Sequence, residues 1–494
     1  MGNGIVGKKT ISETWVNAGI YAYLFLPVVI FFLGWIRWYI AVPLTALVVF
    51  CLVRMVLQHK TDRKFNINSD NLWLLFGVLV VAVIWVWFSG IGRLSFQNED
   101  HWARNRIFEM LVKYDWPVVL DVETETGTES HMLVYYIAFW LPAALVGKVL
   151  GTTAGYLFQA VWAVFGVLIV WYLLTQAIGA KKVWPLVLFI LFGGLDIVGI
   201  WFKQGQLTPI DLSAHIERWP GKFQFSGFTT QLYWVFNQVI YAWIIFLLIM
   251  KQKDNKNLIL IISAGVLQCP LPFIGMVPYL ALKVLGKERE GAKLPKKLWE
   301  NIKETFTVNN VFGGGVVGLI SYAYVAANVS GGKQSKIYSG LDKREFVYLW
   351  LSFFLLEAGI YMILIYKYKK MKIIYWLTGA ILLACPLIKI GNSIDFGMRA
   401  SIPALIVLFV MVCRTLKESR KKKDWLVFVA LCLCLAVGWD GAIHEFCRSV
   451  KSSNESYVNN TAVYMKPGSE DEVINGNNFH GDGQNSFFAR YLAR

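Results

Sequence analysis

Charged side chains are scarce in this chain: they make up 16% of its 494 residues, against 56% hydrophobic. The apolar runs are long, recurrent and almost free of charge, which excludes a soluble globular fold and predicts a polytopic membrane protein. Cysteine is sparse too. Six of the seven (Cys51, Cys269, Cys385, Cys413, Cys432, Cys434) fall inside apolar runs and only Cys447 lies in a polar region, so no disulfide framework is expected. Cys432 and Cys434, two residues apart, would point away from each other on a helix, which argues against a shared metal. There is no Walker loop, no dinucleotide fingerprint and no Ser/His/Asp elbow, and their absence argues against a soluble nucleotide-sugar donor.

What charge there is has a pattern. The formal net charge of +16 is carried by short Lys and Arg clusters between apolar runs, where they act as topology signals; no nucleic-acid module is visible and no nucleic-acid partner is expected. Spans are expected near residues 17–34, 38–57, 71–91, 154–178, 183–202, 231–250, 308–328, 346–366, 373–390, 400–416 and 425–438, about 11 in all. The first follows Lys8 and Lys9 like a signal peptide, but it is too long and no small-residue cleavage site follows. The clusters Lys60/Arg63/Lys64, Lys181/Lys182, Lys251/Lys253/Lys256, Lys283 to Lys303, Lys367 to Lys372 and Arg414 to Lys423 should all face the cytoplasm. This places residues 92–153 outside and lays the apolar stretch 131–150 along the outer membrane surface. It also requires 258–285 to enter and leave by one face, as a pair of short helices broken at Cys269, Pro270 and Pro272. The tail from about Asp440 to Arg494 then lies outside, with Gly468 to Gln484 reading as a flexible linker and Phe487, Phe488, Tyr491 and Leu492 as one face of a short docking helix.

The densest polar cluster, Gln97 to Asn105, opens the first outside loop with Glu99 and Asp100. Carboxylates there can take a proton from a hydroxyl or hold a divalent cation; the plain alternative is a solvated loop. Beyond them Ala103, Ile107, Met110, Leu111 and Tyr114 recur at helical spacing, which predicts a surface-lying amphipathic helix on which Asp100 and Arg104 share a face. Further along, His215, Glu217 and Trp219 with Asp211, Arg218 and nearby phenylalanines offer aromatic and polar groups suited to a sugar, against an ordinary interfacial aromatic belt. His215 and Glu217 lack a clear third ligand for zinc. The turn Asn392 to Arg399 places Arg399 at the depth of a lipid phosphate, with pairing to Asp395 as the simpler role. Asp196, Glu357 and Lys389 are ionisable groups within apolar runs and are site candidates on that ground alone.

The order of these parts carries a family likeness. An acidic pair in a long outside loop is followed by His131-Met132-Leu133-Val134-Tyr135-Tyr136, then Gly147-Lys148-Val149-Leu150-Gly151 and a span closing at Lys181. This arrangement, over roughly residues 71–285, resembles the GT-C superfamily of integral-membrane glycosyltransferases. It departs from the mannose- and aminoarabinose-transferring group in having Glu-Asp for Asp-Glu, no paired prolines after the histidine, and two extra spans before residue 71. The resemblance implies an all-α polytopic fold with membrane-surface helices in loop 92–153. It divides the chain into an extra N-terminal hairpin (1–70), a catalytic transmembrane module (71–285), C-terminal transmembrane helices (286–438) and an outside tail (439–494).

It further implies transfer of a sugar from a polyprenyl-phosphate carrier to a glycan, glycolipid or protein, at the outer face of a prokaryotic plasma membrane. The sequons at Asn328, Asn454 and Asn459 equally permit a eukaryotic lumen. In this reading Asp100 is the base and Glu99 its support, or both hold a divalent cation where one is used. Arg104 and Arg399 face the phosphate, and His131 and Tyr135 join the substrate site. The rivals are a transporter or flippase of a lipid-linked sugar, with Asp196, Glu357 and Lys389 lining its path, and an O-antigen-type ligase or polymerase, which Arg399 alone favours.

Overall fold

The computed structural model describes residues 10–66, 68–124, 127–287, 293–329, 342–389, 394–474 and 479–494. Helices α1 (Glu13–Trp35) and α2 (Trp38–Gln58) form the N-terminal hairpin, tied at its base by strands β1 (Thr10–Ser12) and β2 (Lys64–Asn66), with Thr10 opposite Asn66. Helix α3 (Ser69–Phe88) follows, its first turn capped by the Asn68 side chain, which accepts from the Asn71 N–H. The first long loop holds α4 (His101–Lys113), strands β3 (Val119–Thr124) and β4 (Gly127–Leu133), and α5 (Leu141–Leu150). Then come α6 (Thr152–Ile178), the short pair α7 (Trp184–Leu191) and α8 (Asp196–Gln204), and α9 (Phe228–Lys251). Helix α9 is buried along almost its whole length, its polar Gln231, Asn237 and Gln238 included, which makes it the central post of the bundle.

The broken hairpin forms as expected: α10 (Leu258–Gln268) and α11 (Pro270–Gly286) meet at Cys269, whose φ of −153° ends the first helix, and Pro270 opens the second, where its missing N–H costs nothing. At the tip, the Gln268 amide donates to the Leu24 carbonyl. The chain continues through α12 (Leu294–Lys303), α13 (Gly315–Ala326) entered by a π-turn at Asn309–Gly314, and α14 (Lys343–Phe354) joined by a second π-turn, Leu355–Gly359, to α15 (Ile360–Lys369). Helices α16 (Ile373–Ala384), α17 (Asp395–Ala400), α18 (Ile402–Lys421), α19 (Trp425–Gly438) and α20 (Asp440–Val458) complete the bundle, and α21 (Glu470–Ile474) and strand β5 (His480–Asp482) belong to the tail.

Among the described residues nine helices are long and apolar enough to cross a membrane. Two of the expected spans fall on shorter helical segments, Asn309–Ala326 and Ile373–Leu387. The chain is mostly helical, but the loop expected to hold only surface helices folds residues 119–133 into a β-hairpin, so His131 sits on a strand. The supposed linker is not featureless: α21 packs on α4, and β5 adds a third strand, pairing His131 with Asp482 and Leu133 with His480. At the C-terminus Phe488 alone is fully buried, against Phe31 and Tyr324, while Phe487 and Tyr491 stay exposed. That segment is a π-turn held by Arg37, which donates to the carbonyls of Arg490 and Ala493.

The basic clusters between the spans gather at one end of the bundle. Lys251 donates to Asn17, Lys181 to Asn71, Lys283 to the Met250 carbonyl and Lys417 to the Gly179 carbonyl, while Lys369 pairs with Glu418 and His59 lies 3.9 Å from Asp254. The first loop, residues 205–227 and the tail occupy the other end, as the positive-inside pattern requires of them as a group.

Candidate functional site

At that second end lies a cleft of about 1080 Å³. Its first wall is the start of the first loop. Gly90 takes a left-handed φ of 78°, and a Cβ there would lie 2.6 Å from the Phe96 carbonyl oxygen, so the chain can fold back on itself only with glycine at this position. Gln97 then donates to the Gly90 carbonyl and accepts from Asn105 and from the Met465 N–H, binding loop, helix α4 and tail at one point. Asn98 donates to the Tyr233 carbonyl beside Val235, where α9 departs from helical geometry (φ −140°, ψ 35°). His101 stacks on Phe236 and is buried, which together with nearby Arg104 holds its pKa well below the usual imidazole value. These anchors present Glu99 and Asp100 to the cleft from the entry of α4.

Asp100 accepts from Arg104 at 2.8 Å, the shared-face pair read from the four-residue spacing. Across the cleft, α17 supplies Asp395 and Arg399, 3.4 Å apart. Each guanidinium keeps one buried nitrogen without a protein partner, Nη1 of Arg104 and Nε of Arg399. Tyr135 lies in the field of both arginines; it is half-buried and stacked on Tyr136, and the loss of solvent raises its pKa. It does not line the cleft. Asn392 and Ser393 of the same turn lie outside the described residues.

The third wall comes from residues 215–224 and the tail. His215 lines the cleft with Nδ1 2.8 Å from Glu445, a buried carboxylate of α20 that also accepts from Trp234 and Arg448. Arg448 in turn lies 5.0 Å over the Trp234 ring. Arg218, Lys222, Lys389, Arg399 and Arg448 thus face a space that also receives Glu99, Asp100 and Asp395, so cations outnumber acids and an anionic ligand is favoured. Glu445, Arg448 and Trp234 were not singled out in the sequence. Their signal was the three-residue spacing of Glu445 and Arg448 beyond the last apolar run, which sets both on one face if α19 continues outward, as α20 does.

Other expected residues lie elsewhere. Glu217 accepts from the Gly227 N–H at 2.8 Å and is joined to His215 through the Gln224 amide nitrogen, 3.5 Å from each, and Trp219 donates to Glu357 at 2.9 Å. With Asp196, hydrogen-bonded to Glu357, they form a closed cluster in which Asp196 Oδ1 has no partner. Burial, then Asp196, pushes the Glu217 carboxyl up to about 8. Lys389 is separate from this cluster and lines the cleft. His131 stacks on His480 at 4.3 Å, on the sheet. Among the described residues no group of three or more His, Cys, Asp or Glu is placed to hold a metal ion.

Fold and cleft define an integral-membrane helical protein with a charged cleft at the end opposite its basic helix termini. No protein-family model, curated protein or solved structure matches the chain.

Proposed function

We propose that the cleft is the active site of a GT-C-type membrane glycosyltransferase. It would move a sugar from a polyprenyl-phosphate carrier to a glycan, glycolipid or protein acceptor at the outer face, as the positive-inside rule orients the bundle. One observation carries this reading: Asp100 and Arg399, about 300 residues apart in sequence, line one cleft rich in cations. Asp100 takes the proton of the acceptor hydroxyl, whose oxygen bonds to the anomeric carbon. The polyprenyl phosphate departs with the bonding pair, its charge met by Arg399 and the neighbouring cations. Asp100→Asn is expected to lower transfer by about 100-fold while the protein still reaches the membrane. The test is the surface glycan composition of a deletion strain rescued by wild type or by the variant. Loss of one sugar that only wild type restores supports the assignment, and full rescue by the variant overturns it.

A transporter of a lipid-linked sugar is the second reading, favoured by the break between α7 and α8 and the π-turn at Leu355–Gly359, which set Asp196 against Glu357. It requires Glu357→Gln to stop lipid movement while Asp100→Asn leaves it intact.

A further inference from the structure

A second cavity, of about 1570 Å³, opens toward the basic end. It is a groove walled by α1 (Val16, Leu26), α3 (Leu75, Leu79) and α6 (Phe165, Ile169), and Tyr23, stacked on Trp162 at 4.1 Å, closes its deep side. From Glu13 to Val29 along α1 it runs about 24 Å, most of the roughly 30 Å hydrocarbon thickness. Such a slot inside a bilayer fills with hydrocarbon chains; what it selects is decided at its mouth.

The mouth is cationic. Arg63, Lys64 and Lys181 line it and are exposed. The β1–β2 ribbon places Lys64, and Lys181 is fixed by its bond to Asn71 and by the Phe65 ring, 5.3 Å away. Glu13 is the one carboxylate among the described lining residues, and it is engaged by Arg63 at 3.9 Å and Lys251 at 3.6 Å. A long apolar slot beneath three cations at membrane-surface depth matches a lipid whose headgroup is negative, and basic pockets between helices on this side of a membrane bind such headgroups.

We propose that this groove holds one anionic phospholipid of the leaflet on the basic side, with its acyl chains between α1 and the α3–α6 pair and its phosphodiester against Arg63, Lys64 and Lys181. The proposal does not depend on the chemistry of the cleft. Two variants test its two halves. Arg63→Ser/Lys64→Ser/Lys181→Ser removes the headgroup contacts at exposed positions. Gly19→Leu fills the slot, because a Cβ on Gly19 meets nothing within 4 Å.

Full-length protein in mild detergent would be mixed with phosphatidylglycerol or phosphatidylcholine, and the retained lipid counted by native mass spectrometry. The wild type is expected to retain phosphatidylglycerol with roughly tenfold preference or more. The triple variant should keep lipid but lose the preference, and Gly19→Leu should retain about one lipid fewer. Equal retention of the two lipids by wild type, or a preference unchanged in the triple variant, overturns the headgroup assignment; undiminished retention by Gly19→Leu overturns the slot.

Discussion

Two groups of carboxylates sit at the same end of this protein and are built on opposite principles. In the cleft, each of two acids has an arginine: Asp100 has Arg104 and Asp395 has Arg399, with further cations opposite and the solvent close by. In the closed cluster, Asp196, Glu217 and Glu357 have no Lys or Arg among their hydrogen-bond partners in the described residues; they meet one another, a Trp indole, the Gln224 amide and a backbone N–H. Paired acids keep an open coordination side for a ligand, whereas acids that face each other must share protons to stay buried. On the proposed transferase reading the chemistry belongs to the cleft, and the cluster serves the packing of a broken helix.

The sharpest way to break that comparison is to remove a cation from the cleft. Arg399→Ala is expected to reduce transfer by about 100-fold, the scale of losing one charged donor to the leaving phosphate, and Arg399→Lys should restore only part because it lacks the planar fork. Steady-state rates on purified protein in detergent decide it. A loss confined to folding yield would return Arg399 to the dull role of partner to Asp395. In the cluster the expected effect is on stability. A Cβ on Gly194 would overlap the Glu357 carboxylate, so Gly194→Ala should cost about 1–3 kcal/mol in unfolding measurements, with transfer per folded molecule unchanged.

The cluster also carries a pH signature. Glu217, pushed up to about 8, keeps a proton in the folded chain that the unfolded chain releases near 4.5. Its contribution to stability is therefore most favourable below pH 4.5, weakens as the pH rises toward 8 and is flat above that. Glu217→Gln should flatten the melting temperature across this window. An unchanged slope would mean that another group of the cluster holds the proton.

The difference between the two sites also explains what could be read from sequence. Asp100 with Arg104, and Asp395 with Arg399, are local pairs at helical spacing, and a four-residue period is visible in any linear reading. The hairpin break at Cys269-Pro270 and the common side of the basic clusters were legible for the same reason, since proline and charge act where they stand. The rest depends on long-range contacts. The 119–133 hairpin was hidden because its third strand, β5, lies about 350 residues further on, in a segment whose glycines and asparagines resemble a linker. Glu445 was one acid in an acidic tail until α20, continuing outward from α19, set it against His215. Trp219 had the composition of a sugar platform, but Gly199 leaves a space that its indole fills, and the ring turned inward.

The smallest expected effect lies at Arg104, and it separates pairing from chemistry. Its side chain is buried, but Asp100 remains 44% exposed, so water can solvate the carboxylate once the partner is gone. Arg104→Gln should therefore change unfolding free energy by less than about 1 kcal/mol. If Arg104 only restrains Asp100, transfer should fall no more than about tenfold, because the loop is still held by Gln97, Asn98 and the tail. A fall as deep as that of Asp100→Asn would show that Asp100 works only while Arg104 holds it, since Arg104 is buried and does not itself line the cleft. The ion pair, and not the carboxylate alone, would then be the unit that serves the acceptor hydroxyl.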